Sequence, residues 1–319
     1  MSFPYVADCW FLTGPTAAGK SAVGIELALR LGGEIVSLDS MALYRGMDIG
    51  TAKPTAAERA EVPHHLIDII EPHESFSLAD FVTAAEQCTA EILSRGRVPV
   101  FVGGTPLYLK ALLRGMFEGP AADWEFRERV TAESQKRGNE WLHEQVRAID
   151  PVAAGRLHAQ DTKRLVRVLE VYEKTGRPIS MLQQQFDKAR PADDCRVYVL
   201  DWPRDVLYRR INTRVDAMFA AGLVAEVRGL LAKRPALPEG IDPLSHTARQ
   251  ALGYREVIDS LGGAQSLAET VVLVQNRTRA FARRQLTWFR SLSECRVVSR
   301  NEEDQARDVA ARIIDLAAS

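Results

Sequence analysis

Residues Gly14-Pro15-Thr16-Ala17-Ala18-Gly19-Lys20-Ser21 spell a complete G-x-x-x-x-G-K-[ST] phosphate loop. Glycines at its ends let the backbone curl until several N–H groups and a helix N-terminus face one anion. Lys20 adds a point charge, and the Ser21 hydroxyl is suited to ligate Mg²⁺. All eight residues are assigned to phosphate binding. Two more belong with them: Asp39, in Ser37-Leu38-Asp39-Ser40, and Thr105, in Val102-Gly103-Gly104-Thr105. Each follows a short apolar run, and in parallel sheets ligands gather at the carboxyl ends of strands. The loop, Asp39 and Thr105 should therefore converge on one site. For Asp39 and for Thr105 the competing role is a helix N-cap.

The elements that must hold these residues are readable from periodicity. Strands are expected at 9–13, 34–38 and 98–102, with helical patterns at 19–31, 77–94 and 105–114. Apolar strands alternating with amphipathic helices predict a parallel sheet covered on both faces. From 119 to 193 the pattern changes: Glu125–Arg137, Asn139–Ile149 and Asp161–Thr175 are polar segments of helical period with no strand between them. Strand character resumes at Cys195–Leu200, and a short strand is expected at 296–299. A Pro/Gly-rich stretch, Arg234–Pro243, interrupts an otherwise helical C-terminal part. The expectation is an α/β fold, a phosphate-loop-type parallel sheet with flanking helices (1–118 and 194–319), carrying an inserted all-helical domain (119–193).

At 319 residues the chain has room for more than one domain, and 46% hydrophobic with 26% charged residues is ordinary for a globular protein. Four scattered cysteines (Cys9, Cys88, Cys195, Cys295), without a C-x-x-C pair, argue for a reducing compartment and against a disulfide framework or structural zinc. The N-terminus lacks a basic stretch followed by a long apolar one, and no run is suited to span a bilayer. A soluble, cytoplasmic protein is expected. The net charge of −1 hides an uneven distribution. Residues 271–300 carry Arg277, Arg279, Arg283, Arg284, Arg290, Arg296 and Arg300 against Glu294 alone, and Lys163, Arg164 and Arg167 form a second cluster. Solvated helical faces would account for either cluster; both together, in a phosphate-loop protein, point to nucleic acid.

A phosphate loop ordinarily means a nucleoside triphosphatase or small-molecule kinase, which needs a second acid for Mg²⁺ at a strand end. The strand 98–102 runs instead into Gly103-Gly104-Thr105, and no N-K-x-D guanine-reading tetrapeptide is present. Among the expected strands, only the one before Asp39 ends on an acid.

The phosphate loop, Asp39-Ser40 followed by Tyr44, and Gly46-Met47-Asp48-Ile49-Gly50-Thr51-Ala52-Lys53-Pro54 together resemble the bacterial tRNA dimethylallyltransferase family. The likeness extends through Pro63–Asp68, Val102–Thr105, Lys163-Arg164-Leu165-Val166-Arg167, Gly253-Tyr254-Arg255 and Arg283–Phe289, in the family's order and over nearly the whole chain. It implies transfer of a dimethylallyl group from dimethylallyl diphosphate to N6 of adenine 37, beside the tRNA anticodon, with Mg²⁺ as cofactor. The loop would then grip a diphosphate leaving group, and an ATPase-type acid after residue 102 would not be required. The exocyclic amine is a poor nucleophile, so a carboxylate to take its proton would help; Asp39 is the candidate. The resemblance also implies that Arg214, in Arg210-Ile211-Asn212-Thr213-Arg214, stabilises the departing diphosphate and that Thr105 touches the reacting centre. The alternative for Arg214 is a surface ion pair with Asp216 or Asp205.

Adenine 37 must leave its stack to react. By resemblance the anticodon stem-loop is contacted by Asp39, Ser40, Met41 and Ala42, by Thr105 and Arg127, and by Lys163, Arg164, Leu165, Val166 and Arg167. Arg249, Gln250, Gly253, Tyr254, Arg283, Arg284 and Gln285 complete the set. Met41 and Ala42 are uncommon choices in the family pattern. A monomer is expected. Alternatives are an ATP-dependent small-molecule kinase, an enzyme alkylating free adenylate, and a nucleotide-gated RNA-binding module. His64-His65 should not share a metal, because neighbours in an extended segment point to opposite faces. Phe281 and Trp288, seven apart, fit a buried helical stripe as well as a base-stacking surface, and core is favoured. Trp124, Trp141 and Trp202 carry no readable signal.

Overall fold

The computed structural model describes residues 2–117, 119–183, 189–233, 237–238 and 240–318. The chain divides into two compact units: Phe3–Leu113 with Ala189–Ser319, and Arg114–Lys188 with Met1–Ser2. The helical segment read from the sequence as 119–193 overlaps the smaller unit, whose main stretch begins and ends about five residues earlier, so that 189–193 belong to the larger unit. Parts of the 234–243 stretch lie outside the described residues.

The larger unit is built on six parallel strands: β1 (Trp10–Thr13), β2 (Gly33–Ser37), β3 (His64–His65), β4 (Val98–Val102), β5 (Arg196–Asp201) and β6 (Cys295–Ser299). Their order across the sheet is β3-β2-β4-β1-β5-β6. β1 and β2 are buried along their whole length, as strands covered on both faces must be, and this is why they read as unbroken apolar runs. Two features escaped the sequence reading. β3 is two residues long, too short for any periodicity, and pairs Ile35 with His64 and Val36 with His65. β5 extends to Asp201, so a second acid ends a strand.

Helix α1 (Lys20–Leu31) leaves the phosphate loop and packs Val23, Leu27 and Ala28 into a cluster with Trp10, Leu12, Val100, Tyr198 and Ile313. The short α2 (Ala56–Glu61) precedes β3, and α3 (Leu78–Ser94) and α4 (Pro106–Arg114) flank β4. A second cluster gathers Tyr44 and Met47 with Leu223, Val227, Leu230 and Tyr254. It anchors the stretch 46–54 as a loop tied from within. The Glu226 carboxylate accepts N–H groups of Asp48 (3.0 Å), Ile49 (2.8 Å) and Gly50 (3.4 Å), while Lys53 Nζ donates to the Tyr44 carbonyl (2.5 Å) and to Asp48 and Asp68 (2.7 and 2.5 Å). So many residues serving one loop shape account for how distinctive that stretch is.

The smaller unit holds α5 (Trp124–Arg137), α6 (Asn139–Ile149), α7 (Pro151–Arg156), α8 (Thr162–Thr175) and α9 (Ile179–Leu182). Its core is Leu142, Val146, Ala153, Leu165, Val166, Val168, Val171 and Ile179. After it the larger unit continues with α10 (Arg204–Ala220), α11 (Leu223–Ala232), α12 (His246–Arg249), α13 (Tyr254–Leu261), α14 (Leu267–Arg290) and α15 (Ala306–Ala318). Along α14 the buried stripe runs through Val274, Thr278, Ala282, Gln285 and Phe289. Phe281 stands off that stripe and is 37% exposed, correcting its expected place in the core. Helical rotation of about 100° per residue puts it beside Ala282's face rather than on it.

Candidate active site

Register explains why the expected residues meet. Leu12 of β1 is level with Val102 of β4, and Ser37 of β2 is level with the same Val102. Three chain segments therefore leave the sheet side by side: the phosphate loop, Leu38–Asp39 and Gly103–Thr105. Backbone bonds then lace them. Gly103 N–H donates to Leu12 (3.2 Å), Leu38 N–H to Val102 (2.9 Å) and Thr105 N–H to Leu38 (3.2 Å). A Cβ on Gly103 would lie 2.1 Å from the Leu38 carbonyl oxygen, so only glycine allows this approach.

Within that crevice, Lys20 Nζ donates to the carbonyls of Gly14 (3.1 Å) and Pro15 (2.8 Å), leaving one proton unassigned. Thr105 Oγ1 accepts from Ser40 N–H (3.1 Å), so its own hydroxyl hydrogen points elsewhere. Asp39 Oδ1 accepts from Met41 N–H (2.8 Å), and its second oxygen has no hydrogen-bond partner among the described residues. Asp39 precedes no helix and is not the N-cap considered for it, whereas Thr105 stands at the N-cap position of α4, its carbonyl accepting from Leu109 N–H (3.2 Å), while its side chain helps fix the 39–41 turn. Arg214 reaches the same place from α10. Its Nε is sealed from solvent and has no hydrogen-bond partner. The surface pairs considered for it are taken: Asp205 binds Arg209, and Asp216 accepts from Gln275.

The electrostatics follow from this crowding. Burial, with Arg214 close by, pulls the Lys20 ammonium down to about 7, and Asp39 only partly opposes that. Burial likewise lowers Arg214, again against the pull of Asp39. Two cations and one carboxylate, with an orphaned guanidinium N–H, form a cradle for additional negative charge. Ser21 is exposed in the first turn of α1, and its hydroxyl has no hydrogen-bond partner among the described residues. Among the described residues no group of three His, Cys, Asp or Glu is disposed to hold a metal. A Mg²⁺ ion here would take Ser21 and otherwise oxygens of a bound diphosphate and water, the usual habit of that ion.

Other assigned residues go elsewhere. Gln285 turns inward from α14, accepting from Thr16 N–H (3.0 Å) and donating to the Gly104 carbonyl (2.6 Å); it clips the phosphate loop to the 103–105 turn instead of facing RNA. Tyr254 is fully buried, its hydroxyl on Glu226 (2.5 Å), and Gly253 N–H caps onto Glu256 (2.7 Å). Ala42 is buried, and Arg249 is paired with Asp242 (2.7 Å), while Gln250 bonds His246 (2.6 Å). In the helical unit Leu165 and Val166 are core residues. Arg127 grips the buried Glu170 with two 2.8 Å bonds, Arg167 joins the same carboxylate, and Arg164 pairs with Asp161 (2.7 Å).

The arginine-rich segment is similarly thinned. Arg277 pairs with Glu256, Arg290 with Asp201 and Arg296 with Asp193, and Arg279 bonds Asn212 and Asn276. Arg283 and Arg284 remain exposed on α14, without acidic partners among the described residues. Each of His64 and His65 takes its own partner, the Val62 carbonyl and Glu34.

A parallel-sheet phosphate-loop core carrying this cradle, with a separate helical unit, defines the class. The IPP transferase model matches residues 42–292 and an isopentenyl transferase model matches 7–68; the chain belongs to the IPP transferase family. A relative from Rhodopirellula baltica named tRNA dimethylallyltransferase is 45% identical over 96% of this chain and 92% of its own. One from Trichlorobacter lovleyi, tRNA dimethylallyltransferase 1, is 47% identical over 88% and 90%. Among solved structures, the full-length tRNA isopentenylpyrophosphate transferase of Bacillus halodurans superposes with a TM-score of 0.68 at 38% identity, covering 97% of this chain and 95% of that one.

The sequence reading missed the outer wall of the loop, where Trp202, Arg210 and Arg300 bond its carbonyls. Arg300 belonged to the basic segment and Trp202 carried no signal, because their partners lie 282 and 184 residues away along the chain, respectively.

Proposed function

We propose that this protein transfers a dimethylallyl group from dimethylallyl diphosphate to N6 of adenine 37, next to the anticodon of tRNA, and releases diphosphate. Family membership and the names of its relatives support the reaction. The observation that carries the site assignment is the buried, partnerless Arg214 Nε beside Lys20 and Asp39.

In this reading the N6 lone pair attacks C1 of the dimethylallyl group while the C1–O bond breaks and its electron pair leaves with diphosphate. The N6 proton passes to the free oxygen of Asp39. Lys20 offers its remaining proton, Arg214 its Nε–H and Thr105 its hydroxyl to the leaving oxygens, where charge accumulates. Bound Mg²⁺, held by Ser21, would supply further charge neutralisation on the diphosphate. The flipped adenine enters past the 39–42 turn, and Arg283 and Arg284 offer charge to tRNA phosphates. The protein is read as a cytoplasmic monomer; among the described residues no helix is long and apolar enough to cross a membrane.

The kinase alternative has one feature to recommend it, the second strand-end acid. Asp201 is however occupied by Trp202 N–H (3.0 Å) and Arg290 (2.9 Å), and β4 ends without an acid. Incubation with an unmodified tRNA transcript, dimethylallyl diphosphate and Mg²⁺, followed by nucleoside mass analysis, tests the proposal. Prenylated adenosine beside the anticodon is expected. Prenylation of free AMP with tRNA untouched, or phosphate transfer from ATP, would replace it with the alternatives.

A further inference from the structure

We propose that Trp202, Arg210 and Arg300 are positioning residues that set the phosphate loop in its anion-binding shape before diphosphate arrives. The inference rests on the diphosphate reading of the site and adds the device that prepares it. The three come from separate parts of the sheet's far side: Trp202 directly follows β5, Arg210 lies on α10 one turn before Arg214, and Arg300 directly follows β6. Arg210 Nε donates to the Ala17 carbonyl (2.9 Å), while Trp202 Nε1 (3.0 Å) and Arg300 Nη1 (3.3 Å) donate to the Ala18 carbonyl.

The loop needs such support. Ala17 sits at φ 63°, in the left-handed region that disfavours a residue with a Cβ, and Gly19 follows at φ 85°. In a trans peptide the carbonyl and the next N–H point in opposite directions. Pinning the Ala18 carbonyl outward therefore turns the Gly19 N–H inward, where it has no partner among the described residues. That is the direction from which an anion would be gripped. A Cβ on Gly19 would stand 2.8 Å from Arg300 Nη1, so the guanidinium presses directly on the loop.

The clamp is held by stacking, with no ion pair to either arginine among the described residues, and the Asp304 carboxylate lends Arg300 a counter-charge from nearby. The guanidinium carbons of Arg210 and Arg300 lie 4.6 and 4.7 Å from the Trp202 ring centroid. Arg300 spends its other amino group on the Asp304 carbonyl (2.7 Å), and its Nε is buried without a partner. Two like charges kept together, bonded to carbonyls, add positive field behind the loop that an incoming diphosphate relieves.

The test uses the full-length protein with Trp202→Phe, which keeps a ring but loses the indole N–H, and Arg300→Met, with Arg300→Lys as the conservative control. Loss of a charged donor to the loop should raise the KM for dimethylallyl diphosphate roughly tenfold. The KM for tRNA and the melting temperature should hold, and amide exchange at Ala18, whose N–H donates to the Pro15 carbonyl within the loop (3.3 Å), should quicken. Arg300→Lys should recover part of the KM. Unchanged KM and exchange in Trp202→Phe would overturn the proposal, as would equal rises in both KM values with a lowered melting temperature. Should Arg300→Met fail to fold, Trp202→Phe decides alone. Calorimetry of wild type with inorganic diphosphate is read separately. A wild type that binds none breaks the reading of the site, and the exchange rate at Ala18 then decides the clamp on its own.

Discussion

The two units treat arginine in opposite ways. In the helical unit Arg127 and Arg167 converge on one buried carboxylate, Glu170, which also accepts the Asp123 N–H (2.7 Å). Around the phosphate loop Lys20, Arg214, Arg210 and Arg300 gather without an ion pair among the described residues: Asp39 acts on the first two and Asp304 on Arg300 through their fields alone. Charge that is matched holds a fold together; charge left unmatched is there for something that has yet to bind. The contrast separates structural from functional arginines more sharply than counting basic residues does.

The strongest way to break this comparison is at Asp39. Asp39→Ala is expected to lower kcat by ~10²–10⁴-fold, since that is the usual contribution of a general base. Dissociation constants for both substrates should change little. Single-turnover kinetics at saturating tRNA would measure it, and a loss below about threefold would remove Asp39 from the chemistry.

Arg214→Ala comes next. An unmatched guanidinium aimed at a leaving diphosphate should be worth ~10²–10³-fold in kcat/KM for dimethylallyl diphosphate. Steady-state kinetics with that substrate varied would show it, and normal values would return Arg214 to a packing role.

Glu170 sharpens the other side. Removing the acid from a buried pair strands its partners, at a cost of about 3–5 kcal/mol. Glu170→Ala should therefore lower the urea midpoint of the protein markedly. The opposite sign is expected at the loop. The Lys20 value in the folded, empty protein, about 7, lies below the ordinary 10.5. The unfolded chain thus binds more protons between those limits, and stability rises with pH across that window. Lys20→Met should stabilise the empty protein below pH 7 while weakening diphosphate binding. Equal behaviour of the two variants in denaturant would erase the distinction between the units.

How far this was legible in the sequence depends on the range over which each residue acts. The loop, β1, β2 and β4 are local patterns, an eight-residue motif and unbroken apolar runs, and periodicity reports such things directly. Asp39 and Thr105 were legible because strand ends in a parallel sheet lie level. The partners of Glu170 were half legible: Arg167 is three residues away on α8, but Arg127 comes from α5. Gln285, Tyr254, Trp202 and Arg300 act through contacts far along the chain, so their residue types suggested RNA contact, surface charge or nothing at all. Phe281 shows the limit of spacing alone, since its seven-residue interval to Trp288 did not reveal which face of α14 is buried.

The pH dependence of ligand binding isolates the loop more finely. Lys20 must be protonated to grip a diphosphate, yet in the empty protein it loses its proton near pH 7. The affinity for dimethylallyl diphosphate should fall as pH rises above that value, by up to about tenfold per unit, until the higher pKa of the bound state is reached. Calorimetry from pH 6 to 9 would trace the fall. Lys20→Met should flatten it, and a slope surviving in that variant would assign the titration to another group.

The smallest effect tests whether exposure, and not the number of arginines, marks the RNA-facing surface. Each phosphate contact contributes roughly −0.7 to −0.9 to the log–log dependence of tRNA affinity on salt. Arg283 and Arg284 are exposed and lack acidic partners among the described residues, so Arg283→Ala with Arg284→Ala should flatten the slope by about 1.5 and weaken binding several-fold at moderate salt. Arg164→Ala should flatten it by less than one unit, because Arg164 already shares its charge with Asp161 at 2.7 Å. Arg167 is a poor probe for the same question: its loss would leave Glu170 with Arg127 alone and alter the helical unit before any phosphate is counted. Binding of dimethylallyl diphosphate should be unaffected in the α14 double variant and in Arg164→Ala, since none of these side chains touches the loop. If Arg164→Ala flattened the slope more than the α14 pair, matched charge would be carrying the RNA, and the rule drawn from the two units would fail where it matters most.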